Sequence, residues 1–226
     1  MGNPGDTQHL IGEVDMNLER LYEAEALFFQ QYPAGFADEE LTAHLKKRHP
    51  MDRLIELANT QLKRSNFKHT APVLDSVVKL VGRSSMVSMF EKPKFRDYVN
   101  GLSRDDRAHL AQAFRRLLHG NHERGFTDLV DMLSEAKLAK WSLLTICPLY
   151  LRPNEEVFVK PTTTKAVIKR FELDHLVYKP RPSWAFYADY REAIEKMKAA
   201  VHPSLSPNNA AFTGFLMMTT GANQQR

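Results

Sequence analysis

The chain has 226 residues, 43% of them hydrophobic and 26% charged, with a formal net charge of +4. Such a composition excludes a disordered chain, which is poor in large apolar residues, and the length is enough to bury a substantial core. A single cysteine, Cys147, excludes an internal disulfide and a cysteine-rich zinc site, while the small basic excess permits a polyanionic partner without demanding one.

In chain order, residues 7–31 predict a long amphipathic helix, with Leu10, Ile11, Val14, Leu18, Leu21, Phe28 and Phe29 at helical spacing and Pro33 and Gly35 as its stop. Asp38 is placed to cap a second helix that Pro50 closes, and a third runs from Met51 to Arg64. A fourth follows Pro72, buries Leu74, Val77, Val78 and Val81, and ends near Gly82. Residues 82–102 carry Gly, Ser and Pro among Phe90, Phe95 and Tyr98, and read as an irregular, packed boundary between an N-terminal helical part, 1–85, and a C-terminal part, 86–226. The two parts are expected to pack together without a free linker, or to form one compact domain.

Ser103, with Asp106 three residues on, opens a helix whose buried stripe is Leu110, Ala111, Phe114, Leu117 and Leu118, ending at Gly120. Phe126, Leu129, Val130 and Leu133 mark another helix. The apolar run at 138–151 reads as a core segment, helix or strand, with Cys147 a buried thiol inside it. It falls short of the ~20 residues of a membrane span, and Lys140 and Pro148 interrupt it, so no membrane partner is expected. The lack of disulfides, and an N-terminus without a basic region or long apolar stretch, lead us to expect a cytoplasmic protein.

Residues 157–171, VFVKPTTTKAVIKRF, echo residues 176–190, LVYKPRPSWAFYADY. Each reads as a short strand, a proline break, a hydroxyl N-cap and a helix: Thr162, Thr163 or Thr164 in the first, Ser183 in the second. The two strands, near 156–160 and 175–179, are expected to pair. Ser206 and Pro207 then start a last helix through Phe212, Phe215 and Leu216. The fold class expected is therefore mainly α: a multi-helix body with a small two-stranded β element in its C-terminal half.

That pairing would gather Lys160, Lys165, Lys169, Arg170, Lys179 and Arg181 beside two helix starts, where unpaired N–H groups and the dipole favour anions. The function expected is a non-enzymatic, polyanion-binding protein contacting the phosphates of DNA or RNA. The same residues also fit ordinary capped helices with solvated lysines. Two rivals use the same chain: a nucleotide-handling enzyme holding one phosphate at those starts, and a protein–protein module exposing Met86, Met89 and Phe90. Arg104, Arg107, Arg115 and Arg116 form a second basic group, diluted by Asp105 and Asp106. His119, His122 and Glu123 are closely spaced but lack further ligands for zinc, and Glu172, Asp174 and His175 are a weak acid/base cluster. No Gly-x-Ser-x-Gly, His-Glu-x-x-His or Gly-x-Gly-x-x-Gly pattern occurs, so no catalytic residue, metal or cofactor is assigned.

Overall fold

A computed structural model describes residues 16–220, the side chains of Lys46 and Arg48 excepted. Eleven α-helices occur among them: α1 (Leu18–Gln31), α2 (Glu39–Arg48), α3 (Met51–Gln61), α4 (Thr70–Arg83), α5 (Glu91–Gly101), α6 (Arg104–His119), α7 (His122–Glu135), α8 (Trp141–Leu151), α9 (Pro161–Arg170), α10 (Trp184–Ala199) and α11 (Asn209–Thr219). No described helix is long and apolar enough to cross a membrane.

Local chemistry sets most boundaries. Asn17, Asp38, Ser103, Asn121 and Asn208 each accept a hydrogen bond from a first-turn N–H with their side chains, satisfying donors that a helix start leaves orphaned. Gly35 ends the turn after α1 with φ +61°, and the Ser204 side chain packs where a Cβ would stand. Helix α1 starts at Leu18; Leu10, Ile11 and Val14 lie outside the described residues.

Helix α8 is the centre. Every residue from Trp141 to Tyr150 is buried, and α3, α4, α6 and α7 pack around it. A helix apolar on all sides has no amphipathic period, which is why its sequence left helix and strand undecided. Burial pushes the Cys147 thiol up to about 12. We therefore expect Cys147 to resist an aromatic disulfide reagent at pH 8 in the native protein and to react fully once unfolded; rapid native labelling would contradict its burial. The tightest pair is α6 with α7, an antiparallel hairpin turned at Gly120 and Asn121. Buried apolar side chains from Leu21 to Leu216 form one contact cluster that runs across residue 85.

Four expectations need correction. The two-stranded element near 156–160 and 175–179 does not form; no β-strand occurs among the described residues. Glu156, Val157, Phe158 and Val159 are all buried, but side chains take their backbone donors: Tyr187 Oη accepts from Val157 N at 3.3 Å and Thr145 Oγ1 from Val159 N at 3.2 Å. On the other segment, Lys179 O accepts from Trp141 Nε1 at 2.9 Å. Helices thus supply the groups that a neighbouring strand would have supplied. Residues 91–101, expected to be irregular, form α5, because Pro93 sits in the first helical turn where its missing N–H costs nothing. In α9 the N-cap is Lys160 with Pro161 at the first position; no threonine caps, and Thr163 and Thr164 are buried within the first turn. The last helix starts after Asn208 rather than at Ser206-Pro207. Ser183 does occupy the N-cap position of α10, without a side-chain hydrogen bond.

Candidate polyanion-binding face

Helix α9 turns Val167, Thr163 and Thr164 inward and leaves Thr162, Lys165 and Lys169 exposed. Its C-terminal end is fixed by α1. Asn17 N donates to Phe171 O at 2.8 Å, Arg20 donates to Arg170 O at 3.1 Å, and the Glu172 carboxylate takes Asn17 Nδ2 at 2.8 Å and pairs with Arg20 at 2.9 Å. Glu172, read above as a possible acid or base, is thereby engaged as a tether, with φ +54° at the helix exit.

The six basic residues do not form one cluster. Lys165 Nζ stands 5.9 Å from the centroid of the Tyr178 ring, which joins the solvent face of α9 to the extended segment carrying exposed Lys179. Lys169 follows Lys165 by one turn on the same face. Among the described residues no carboxylate pairs with Lys165, Lys169 or Lys179. The other three go elsewhere. Lys160 is the N-cap residue, outside the helical turns that carry Lys165 and Lys169, and its Nζ approaches Met217 Sδ of α11 at 3.7 Å. Arg170 is half-buried beside Phe171, with its Nε buried and unbonded. Arg181 pairs with Asp131 of α7 at 3.1 Å.

Asp131 belongs to an open cleft of about 520 Å³ between α5, α6 and α7, lined also by Tyr98, Asp106, His109, Arg116 and Glu135. Its sign is opposite to that expected for the arginines of α6. Arg116 pairs with Asp128 and Arg107 with Asp75, so the second basic group is partly neutralised. Residues 103–119 could not reveal this, because the acids come from other helices.

A densely bonded polar group was given no role by the sequence, where the run Glu155 to Lys160 has the wrong spacing for a nuclease core. Glu156, 3% exposed, accepts hydrogen bonds from Arg152, from Tyr187 Oη at 2.7 Å and from Arg191 at 3.4 Å, while Asn209 Nδ2 donates to its carbonyl at 3.1 Å. Burial alone would raise its pKa. Hydrogen bonds from Arg152 and Tyr187 and the charges of Arg152 and Arg191 outweigh that, and hold the carboxyl below the usual range. Ionised and sealed from solvent, it serves as a joint between the turn after α8 and helices α10 and α11, not as a proton carrier. Its only sequence signal was an acid followed by three large apolar residues. His119 Nε2 donates to Leu62 O at 2.6 Å, and among the described residues no group of three or more His, Cys, Asp or Glu could hold a metal ion.

No protein-family model, curated protein or solved structure matches the chain.

Proposed function

We propose that the chain is a non-enzymatic polyanion-binding protein whose ligand is a nucleic-acid phosphate backbone, engaged by Lys165, Lys169 and Lys179. The observation that supports this reading is the Lys165–Tyr178 contact, which brings three exposed lysines from two chain segments together with no carboxylate on any of them. Lysines in that state repel one another mildly, and a phosphate relieves the repulsion. The mononucleotide rival needs Lys160 and Arg181 at one point. It gains no support, since one reaches α11 and the other Asp131.

Fluorescence polarisation with labelled DNA and RNA tests the proposal. Three phosphate contacts imply that raising salt from 50 to 200 mM weakens duplex binding roughly 40-fold. Replacing the three lysines by glutamate should abolish binding while leaving the melting temperature within a few degrees. Absence of binding at 50 mM salt would overturn the reading.

A further inference from the structure

We propose that the nucleic acid is single-stranded, and that the turn between α4 and α5 supplies a stacking platform for its bases; this deepens the reading above and rests on it. Met89 and Phe90 are consecutive and each 73% exposed, the highest values among the described large hydrophobic residues. They do not protrude for want of anchoring. Val87 and Phe95 on either side are buried, Ser84 Oγ bonds Tyr150 Oη at 2.9 Å and receives Met86 N at 3.2 Å, and Ser88 Oγ receives Phe90 N at 3.3 Å. The turn is held from below while its two apolar tips face water.

Basic residues outnumber acidic ones in the sequence around those tips. From Arg83 to Arg96 the only carboxylate is Glu91, and it points inward to accept from Ser142 Oγ at 2.6 Å. Arg83, Lys92 and Lys94 remain without an ion pair among the described residues, and Arg96 is matched by Asp97. A hydrogen bond of 2.6 Å between His49 Nδ1 and Ser85 Oγ brings the end of α2, with exposed Lys47, alongside.

The first turn of α8 joins this platform to the α9 face. Glu91 touches Ser142; the neighbouring Trp141 donates to Lys179 O; exposed Lys140 caps the helix between them. These contacts order the residues as Phe90, Lys92, Lys140, Lys179, Lys165 and Tyr178, with an aromatic ring at each end and ammonium groups between. A single strand offers both of what these residues recognise, base faces and phosphates. A duplex keeps its base faces stacked and meets only the lysines. Two apolar side chains inside a collar of cations are too small a patch for a stable apolar protein interface.

The test compares wild type, Phe90→Ala, and the Lys165→Glu/Lys169→Glu/Lys179→Glu variant, all as the full chain, on a labelled thymidine 20-mer, on a 20-base-pair duplex and on vesicles containing phosphatidylserine. Phe90→Ala should weaken strand binding ~5- to 150-fold and leave the duplex unchanged, whereas the triple variant should weaken both. If wild type binds neither nucleic acid, the underlying reading fails and this inference with it. If wild type binds both and Phe90→Ala changes neither, or both equally, only the single-strand inference fails. Vesicle binding that depends on Phe90, with strand binding unchanged in Phe90→Ala, would assign the turn to a membrane surface and overturn the inference.

Discussion

Glu156→Gln should destabilise the protein by about 3–5 kcal/mol, read as a lower urea midpoint with an unchanged slope. The substitution keeps shape and most hydrogen-bonding capacity but removes the negative charge. Arg152 and Arg191, whose side chains are 18% and 32% exposed, would then be partly desolvated without their buried counter-ion, Arg152 keeping only the exposed Glu155 at 3.6 Å. The size of the effect comes from that uncompensated pair, not from any intrinsic value of the bridge: buried ion pairs gain little net energy on formation and cost much when halved. Adding Arg191→Met to Glu156→Gln should recover part of the loss. The exposed pair Arg96–Asp97, with side chains 57% and 65% exposed, is the control, and Asp97→Ala should cost under about 1 kcal/mol. Equal effects at the two places would refute the account of Glu156.

The same joint sets the acid limit. The folded-state pKa of Glu156 is depressed, so its contribution is fully present above the unfolded value of about 4.3 and is lost as pH falls through the folded value. His119 and His122 act in an earlier window. Burial lowers both, so the unfolded chain takes up their protons first, and stability begins to decline as pH drops below about 6.5. Glu156→Gln should flatten the stability profile below about pH 4.3 and leave the shallower loss beneath pH 6.5 in place.

Gly125→Ala is expected to cost about 3 kcal/mol or more, the second large effect. Helix propensity predicts the opposite sign, since alanine inside a helix is worth roughly 0.5–1 kcal/mol over glycine. Contact decides against propensity: a Cβ at 125 would stand 2.1 Å from the backbone nitrogen of Leu117 and 2.7 Å from its Cα. Backbone of α6 cannot turn aside as a flexible side chain can, so α7 must shift and open the closest helix pair in the protein. Gly82→Ala in α4 is the matched control, with nothing within 4 Å of the added methyl, and should stabilise by about 0.4–1 kcal/mol. A calorimetric comparison of the two variants separates the effects; a Gly125→Ala protein as stable as wild type would mean that α6 and α7 do not approach this closely.

Much of the helical scaffold was legible because it follows from short-range physics. Asp38 and Ser103 announce helix starts by their capping chemistry, and the stripe from Leu110 to Leu118 announces which side of α6 is buried. Less of the candidate site was legible. Lysine and arginine have the same sequence appearance whether solvated, stacked or paired: Lys165 meets Tyr178, Arg181 meets Asp131, and Lys160 turns toward Met217. The exposure of Phe90 was equally hidden, since Phe95, five residues on, is fully buried.

By itself, then, the sequence determined the helical class, some helix starts such as those at Asp38, Ser103 and Ser183, the burial of Cys147 and the candidate basic residues, because caps, period and composition act within a few residues of one another. Only the tertiary structure decided that VFV and LVY remain unpaired, that Glu156 joins three chain segments, and which lysines share a face. Those outcomes depend on groups such as Tyr187, Thr145, Trp141 and Asp131, which lie 14 to 50 residues away along the chain and become neighbours only when the helices pack around α8.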